Sequence, residues 1–172
     1  MFERSPNPNR APTKAAFYDE LHRTLAALLA GERDWIANLA NASALLWLEL
    51  TDINWAGFYL LKDDELVLGP FQGKPACVRI ALGKGVCGTA GRQQKTIVVP
   101  NVHEFPGHIA CDSASNSEIV TPLIQDGRLL GVMDIDSPII GRFDDEDLAG
   151  LERFASILLA ASDKRRPSEY VS

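Results

Sequence analysis

Two largely apolar runs, residues 118–124 and 128–136, stand either side of Asp126-Gly127. No other feature constrains the fold so much. Asp-Gly readily takes the left-handed backbone of a tight two-residue turn, whose twist suits antiparallel strands. The chain therefore contains an antiparallel hairpin, and other elements must cover it. Further strands are expected at residues 54–62, closed by Asp63-Asp64, and at 65–68, 76–82 and 96–99. Gly69-Pro70 and Gln72-Gly73 mark a loop between the second and third of these. Helical spacing begins at Phe17 and continues through Leu21, Leu25, Leu28 and Leu29 to a stop at Gly31. A second helix is expected over 34–50 and a short one near Val86. A closing helix follows Asp144, with Asp145, Glu146 and Asp147 in its first turn and Leu148, Leu151, Phe154, Ala155, Leu158 and Leu159 as one stripe. Strands joined by tight turns between flanking helices give an α+β domain: an antiparallel sheet with helices on one side.

At 172 residues the chain suits one domain, and 46% hydrophobic against 23% charged residues is ordinary for a globular protein. Seventeen Lys and Arg face twenty-three Asp and Glu, a net charge of -6. Apart from Lys164-Arg165-Arg166 there is no basic stripe, which argues against nucleic acid as a partner. The longest apolar runs, 42–50 and 157–161, are too short to span a bilayer, and residues 1–12 lack the apolar core of a signal peptide. Residues 1–13 read as a flexible tail, 14–163 as the domain and 164–172 as a second tail. Three cysteines without an export signal argue against a disulfide framework and for a reducing, cytoplasmic setting.

Cys111 lies in a polar stretch of small residues, 107–118, within a long aperiodic segment (101–116) that also carries His103 and His108. Small polar neighbours leave a thiol accessible, and backbone amides or a nearby imidazolium favour its thiolate. Cys77 is expected to begin the strand Cys77-Val78-Arg79-Ile80. Cys87, in Gly85-Val86-Cys87-Gly88, sits where a strand gives way to a helix. A helix N-terminus lowers a thiol pKa; equally, only a small side chain fits between those glycines. No Cys-x-x-Cys pair is present, so a structural zinc site is not expected.

The strand Val132-Met133-Asp134-Ile135-Asp136 ends in two carboxylates two residues apart, hence on one face. Either the strand runs out into solvent there, or the carboxylates enter a shared pocket with Glu118, which opens the partner strand. Crowded carboxylates hold a proton or a cation. Trp55 and Tyr59 share one face of the first strand. A regular two-residue turn pairs Gln125 with Arg128 and so Glu118 with Ile135, on the wrong face for Asp134 and Asp136. If the three acids share a pocket, either the turn is a three-residue loop with a glycine bulge or Glu118 lies outside regular pairing.

Together, Gly57-Phe58-Tyr59, Gly69-Pro70-Phe71-Gln72-Gly73, Ala76-Cys77-Val78-Arg79-Ile80, Gly85-Val86-Cys87-Gly88-Thr89-Ala90, His108-Ile109-Ala110-Cys111-Asp112-Ser113-Ala114-Ser115-Asn116-Ser117-Glu118 and Gly131-Val132-Met133-Asp134-Ile135-Asp136-Ser137 closely resemble the free methionine-(R)-sulfoxide reductases, built on a single GAF domain. The resemblance covers residues 17–161. It implies a GAF-like antiparallel sheet of about six strands with N- and C-terminal helices packed on one face. It further implies that Cys111 is the nucleophile, Cys77 the resolving thiol and Cys87 an auxiliary thiol. Glu118 or Asp136 would supply a proton. Asp134 and Asp136 would hold the substrate ammonium, and Trp55 and Tyr59 would line the cavity. The implied partners are free methionine-(R)-sulfoxide, thioredoxin as reductant and a second copy in a homodimer; no cofactor or metal is implied. Two rivals stand beside this reading: a GAF module that senses a small molecule without turnover, and an interaction protein whose disulfide is the signal.

Overall fold

The computed structural model describes residues 13–107 and 113–163; both expected tails fall largely outside this range, as do His108 and Cys111. Helix α1 (Lys14–Leu28) starts three residues before the apolar period, because Thr13 caps it by accepting a hydrogen bond from the Ala16 amide. Helix α2 (Trp35–Glu49) is capped in the same way by Asp34. Then come β1 (Trp55–Lys62), β2 (Glu65–Gly73), β3 (Arg79–Ala81), α3 (Gly85–Gln93), β4 (Ile97–Val99), β5 (Ser117–Gln125), β6 (Arg128–Ser137) and α4 (Asp145–Ala161). The six strands form one antiparallel sheet in the order β3-β2-β1-β6-β5-β4. This is the expected α+β architecture. Among the described residues, no helix is long and apolar enough to cross a membrane.

Alternation along the strands divides the interior in two. Ala56, Phe58, Leu60, Ile119, Leu123, Met133 and Ile135 face α1, α2 and α4 across one apolar core. Trp55, Tyr59, Val120 and Val132 face the opposite way, toward α3. Helices therefore cover both faces; the N- and C-terminal ones share one side, and α3 is the α-helix among the described residues that covers the other, beside the loops bearing Cys77 and Val102.

Three strand expectations need correction. Gly69-Pro70 does not end β2, which continues to Gly73. The register against β1 jumps from Tyr59↔Leu68 to Gly57↔Phe71, a bulge that accommodates Pro70 and its missing amide. The strand expected over 76–82 shrinks to Arg79–Ala81, so Cys77 sits in the connecting loop. Finally, the hairpin meets its parity demand by neither expected route. Asp126 and Gly127 take positive φ in a two-residue turn, Gln125 pairs with Arg128, and Glu118 is regularly paired. The pairing passes from Ile124↔Leu129 to Leu123↔Gly131, leaving Leu130 as an extra residue in β6. That bulge inverts the parity of every later pair and sets Glu118 opposite Asp136.

Candidate active site

Sheet register assembles the site. Across β1, β6 and β5, Trp55, Asp136 and Glu118 form one row, and Gly57, Asp134 and Val120 form the next on the same face. A Cβ on Gly57 would collide with Phe71 and with the Trp55 ring, so glycine is what lets the aromatic residues close over Asp134's row. Trp55 stacks between Tyr59 (ring centroids 5.9 Å apart) and Phe71 (5.2 Å). The polar edges of both site aromatics are fixed by the loop after β2: Trp55 Nε1 donates to the Lys74 carbonyl at 3.1 Å, and the Tyr59 hydroxyl donates to the Cys77 carbonyl at 3.0 Å.

Helix α3 closes the row from above. A Cβ at Gly88 would meet the Ala81 carbonyl, so this helix comes close to the sheet only because its residues are small. Its first turn places Cys87 beside the acids, with Sγ donating to Glu118 Oε1 at 3.9 Å. A cavity of about 30 Å³ remains, lined by Trp55, Tyr59, Cys87, Glu118, Asp134 and Asp136 among others. Asp134 and Glu118 are each 6% exposed, so the strand does not run out into solvent.

Burial governs the electrostatics. It drives the Glu118 carboxyl well above its usual range, and the Asp134 and Asp136 charges push the same way. It lifts Asp134 from 3.8 to about 6, while hydrogen bonds with Cys87 and Glu118 pull in the opposite direction. The Cys87 thiol is also pushed well up, by burial first and then by Asp134 and Glu118. Of the two readings of Cys87, the small residue in a tight turn fits the fold; a helix dipole worth about 1 kcal/mol does not offset burial among carboxyl groups. Asp134 Oδ1 is buried with no hydrogen-bond partner among the described residues.

Six of the eight expected site residues, Trp55, Tyr59, Cys87, Glu118, Asp134 and Asp136, line this one cavity. Cys77 touches it through the bond between its carbonyl and Tyr59, and is disulfide-bonded, whereas Cys87 is free. Cys111 lies outside the described residues. Sequence reasoning missed Ser115, Lys74 and Lys84, which also line the cavity. Ser115 had a usable signal, its place in the small polar stretch after Cys111. In the fold Asn54 Nδ2 donates to its hydroxyl at 3.0 Å. The two lysines had none, since only loop geometry brings them near.

Comparison with known proteins identifies the family. The model of the family described as GAF domain matches residues 19–161. The free methionine-R-sulfoxide reductase of Escherichia coli (strain K12) is 57% identical over 156 residues, covering 89% of this chain and 94% of that protein. The chain belongs to the free methionine-R-sulfoxide reductase family. Within that family, the Saccharomyces cerevisiae reductase is 46% identical over 153 residues, covering 84% of this chain and 85% of its own length. The Neisseria meningitidis reductase, whose structure was solved in complex with its substrate, superimposes with a TM-score of 0.85 at 45% identity, covering 92% of this chain and 95% of that one.

Proposed function

We propose that this chain reduces free methionine-(R)-sulfoxide to methionine, with Cys111 as nucleophile, Cys77 as resolving thiol and thioredoxin as the source of electrons. The observation that carries the reading is the cavity itself, in which buried carboxyl groups with unequal proton affinities face a free thiol and an aromatic wall. A sulfoxide oxygen leaves only when protonated. Glu118, held neutral by burial and by its acidic neighbours, is the group suited to donate that proton. Asp134, lifted to about 6, carries a buried oxygen with no hydrogen-bond partner among the described residues, which suits it to hold the substrate ammonium. Asp136, opposite both Trp55 and Glu118, adds a second carboxylate to that end. A peptide-bound methionine sulfoxide has no ammonium group and is rejected.

The chemistry balances as follows. The Cys111 thiolate attacks the sulfoxide sulfur, forming an S–S bond, while Glu118 protonates the oxygen. The S–O bond then breaks as the hydroxyl passes to the Cys111 sulfur, and the S–S bond opens to release methionine and leave Cys111 as a sulfenic acid. The Cys77 thiol then displaces water to form a Cys77–Cys111 disulfide, which a dithiol exchanges away. Two facts support this pairing: Cys77 is disulfide-bonded, and Cys87, the one cysteine besides Cys77 and Cys111, is free. The cavity of about 30 Å³ admits a guest on the scale of a water or two, so an amino acid enters only when a wall withdraws. The loop bearing Cys77 holds both Trp55 and Tyr59, so movement of this loop reaches the aromatic wall directly.

NADPH consumption with thioredoxin, thioredoxin reductase and resolved isomers tests the reading. The free R isomer turns over and the S isomer does not. Cys77→Ser releases about one methionine per chain and then stalls. Activity that survives Cys111→Ser removes the nucleophile and the proposal with it.

A further inference from the structure

The cluster at the cavity floor has a second capability. The Cys87 sulfur and one carboxylate oxygen each from Glu118 and Asp134 all lie within 4.8 Å of one another, and all three residues are buried. A tetrahedral zinc ion, with sulfur at about 2.3 Å and oxygen at about 2.0–2.2 Å, holds its ligand atoms about 3.3–3.7 Å apart. The Sγ–Oε1 separation of 3.9 Å is nearly that already. The other separations reach at most 4.8 Å, so the carboxyl groups must turn inward to complete a three-donor face. Two further observations point to a guest. Asp134, 6% exposed, keeps Oδ1 without a hydrogen-bond partner among the described residues. The adjoining cavity of about 30 Å³ suits an ion with a water, whereas an amino acid needs more room.

We propose that Cys87, Glu118 and Asp134 form a binding site for a thiophilic divalent cation, zinc foremost, whose occupancy excludes the amino-acid substrate. The thiolate selects zinc over magnesium or calcium, which prefer all-oxygen shells. Binding transfers no electrons: the Cys87 S–H bond breaks, its proton and any carboxyl proton pass to solvent, and a sulfur–metal bond forms. The site itself stands on geometry alone. Its exclusion of substrate rests on the reading that Asp134 holds the ammonium.

Cobalt and zinc titration of the reduced, full-length protein tests the site without an activity assay. Cobalt binds one ion per chain with a near-ultraviolet sulfur-to-metal charge-transfer band. Cys87→Ser removes the band and weakens zinc, measured by competition with a chromophoric chelator, by roughly 100-fold or more. The Cys77→Ser, Cys111→Ser double variant, whose sole thiol is Cys87, keeps the band. A band that survives Cys87→Ser, a band lost in the double variant, or the absence of stoichiometric zinc binding overturns the site. If Cys87→Ser does not fold by circular dichroism, Asp134→Asn carries the test, and undiminished zinc affinity there is decisive against it. Free methionine added to the zinc form displaces the metal; failure to compete removes the exclusion and leaves the site standing. A protein that binds zinc this way yet reduces no sulfoxide breaks the functional reading instead.

Discussion

Each side of the sheet buries acidic residues, and the two groups are kept in opposite ways. On the helical side Asp147, 1% exposed, accepts the Tyr18 hydroxyl at 2.8 Å, Lys14 Nζ at 2.7 Å and Arg142 Nη1 at 3.3 Å. Its neighbour Asp144, the cap of α4, is drawn down to about 2, chiefly by its hydrogen bond with Lys14. On the other side Glu118 and Asp134 are driven up by burial, and Glu118 further by its acidic neighbours. A buried carboxylate met by cations pins helices together; carboxyl groups met by burial and one another hold protons that chemistry can use. If this contrast is right, removing charge on the two sides must act on different observables.

The largest separation is expected at Glu118. Glu118→Gln keeps the shape and removes the transferable proton, so single-turnover methionine release slows by roughly 10²–10⁴-fold. Its urea midpoint stays level or rises, since a crowded acid has gone. Lost stability with normal turnover would put Glu118 in the same class as Asp147. Asp147→Asn is the converse. It leaves Arg142 facing a neutral group at the joint between α1 and α4, while Lys14 keeps its pair with Asp144, and so costs about 2–3 kcal/mol in denaturant unfolding. Substrate KM and kcat of the folded protein remain as before.

Stability against pH sharpens the contrast, because the signs oppose. Asp134 rises from 3.8 to about 6 on folding, so its contribution is whole below about pH 4 and is lost as pH climbs through 6. Asp144 falls from 3.8 to about 2; its contribution is whole above about pH 4 and is lost as pH drops through 2. Relative to the natural protein, Asp134→Asn therefore gains stability between pH 4 and pH 7, on the order of 3 kcal/mol. Asp144→Asn loses stability at neutral pH and converges with the natural protein near pH 2. Its side chain is 56% exposed, so solvent screening keeps the effect to about 1 kcal/mol or less. Two curves of the same sign would end the distinction.

What the sequence disclosed follows the same division. Helices were legible from apolar spacing and caps, and the hairpin from Asp126-Gly127, because these are local effects. The shared face of Asp134 and Asp136 was legible too, since strand parity is local. Glu118 joins them only through the unpaired Leu130, whose one local signal is the strand glycine beside it, Gly131, which can mark a bulge without saying how the pairing shifts. Pro70 misled for a related reason: its missing amide looks like a strand end until a bulge absorbs it. Cys87 was visible as a small residue in a glycine-rich turn. Its contact with Glu118 spans 31 positions and depends on how closely α3 can sit on the sheet. Parity thus proposed the acidic pocket, and packing between distant segments completed it.

The smallest effect is the most discriminating. Lys14 is one of several donors to Asp147, and its side chain is 29% exposed, so water replaces much of what it gives. With Lys14→Met, Tyr18 and Arg142 still hold Asp147, and the methionine side chain can still lie along α4. The expected loss is about 1 kcal/mol or less, shrinking further in high salt, with KM unchanged. A loss as large as that of Asp147→Asn would mean that one cation carries the whole joint. A shift in KM would mean that the two acidic clusters communicate through the sheet, and that the helical side is part of the machinery of the site it was taken merely to support.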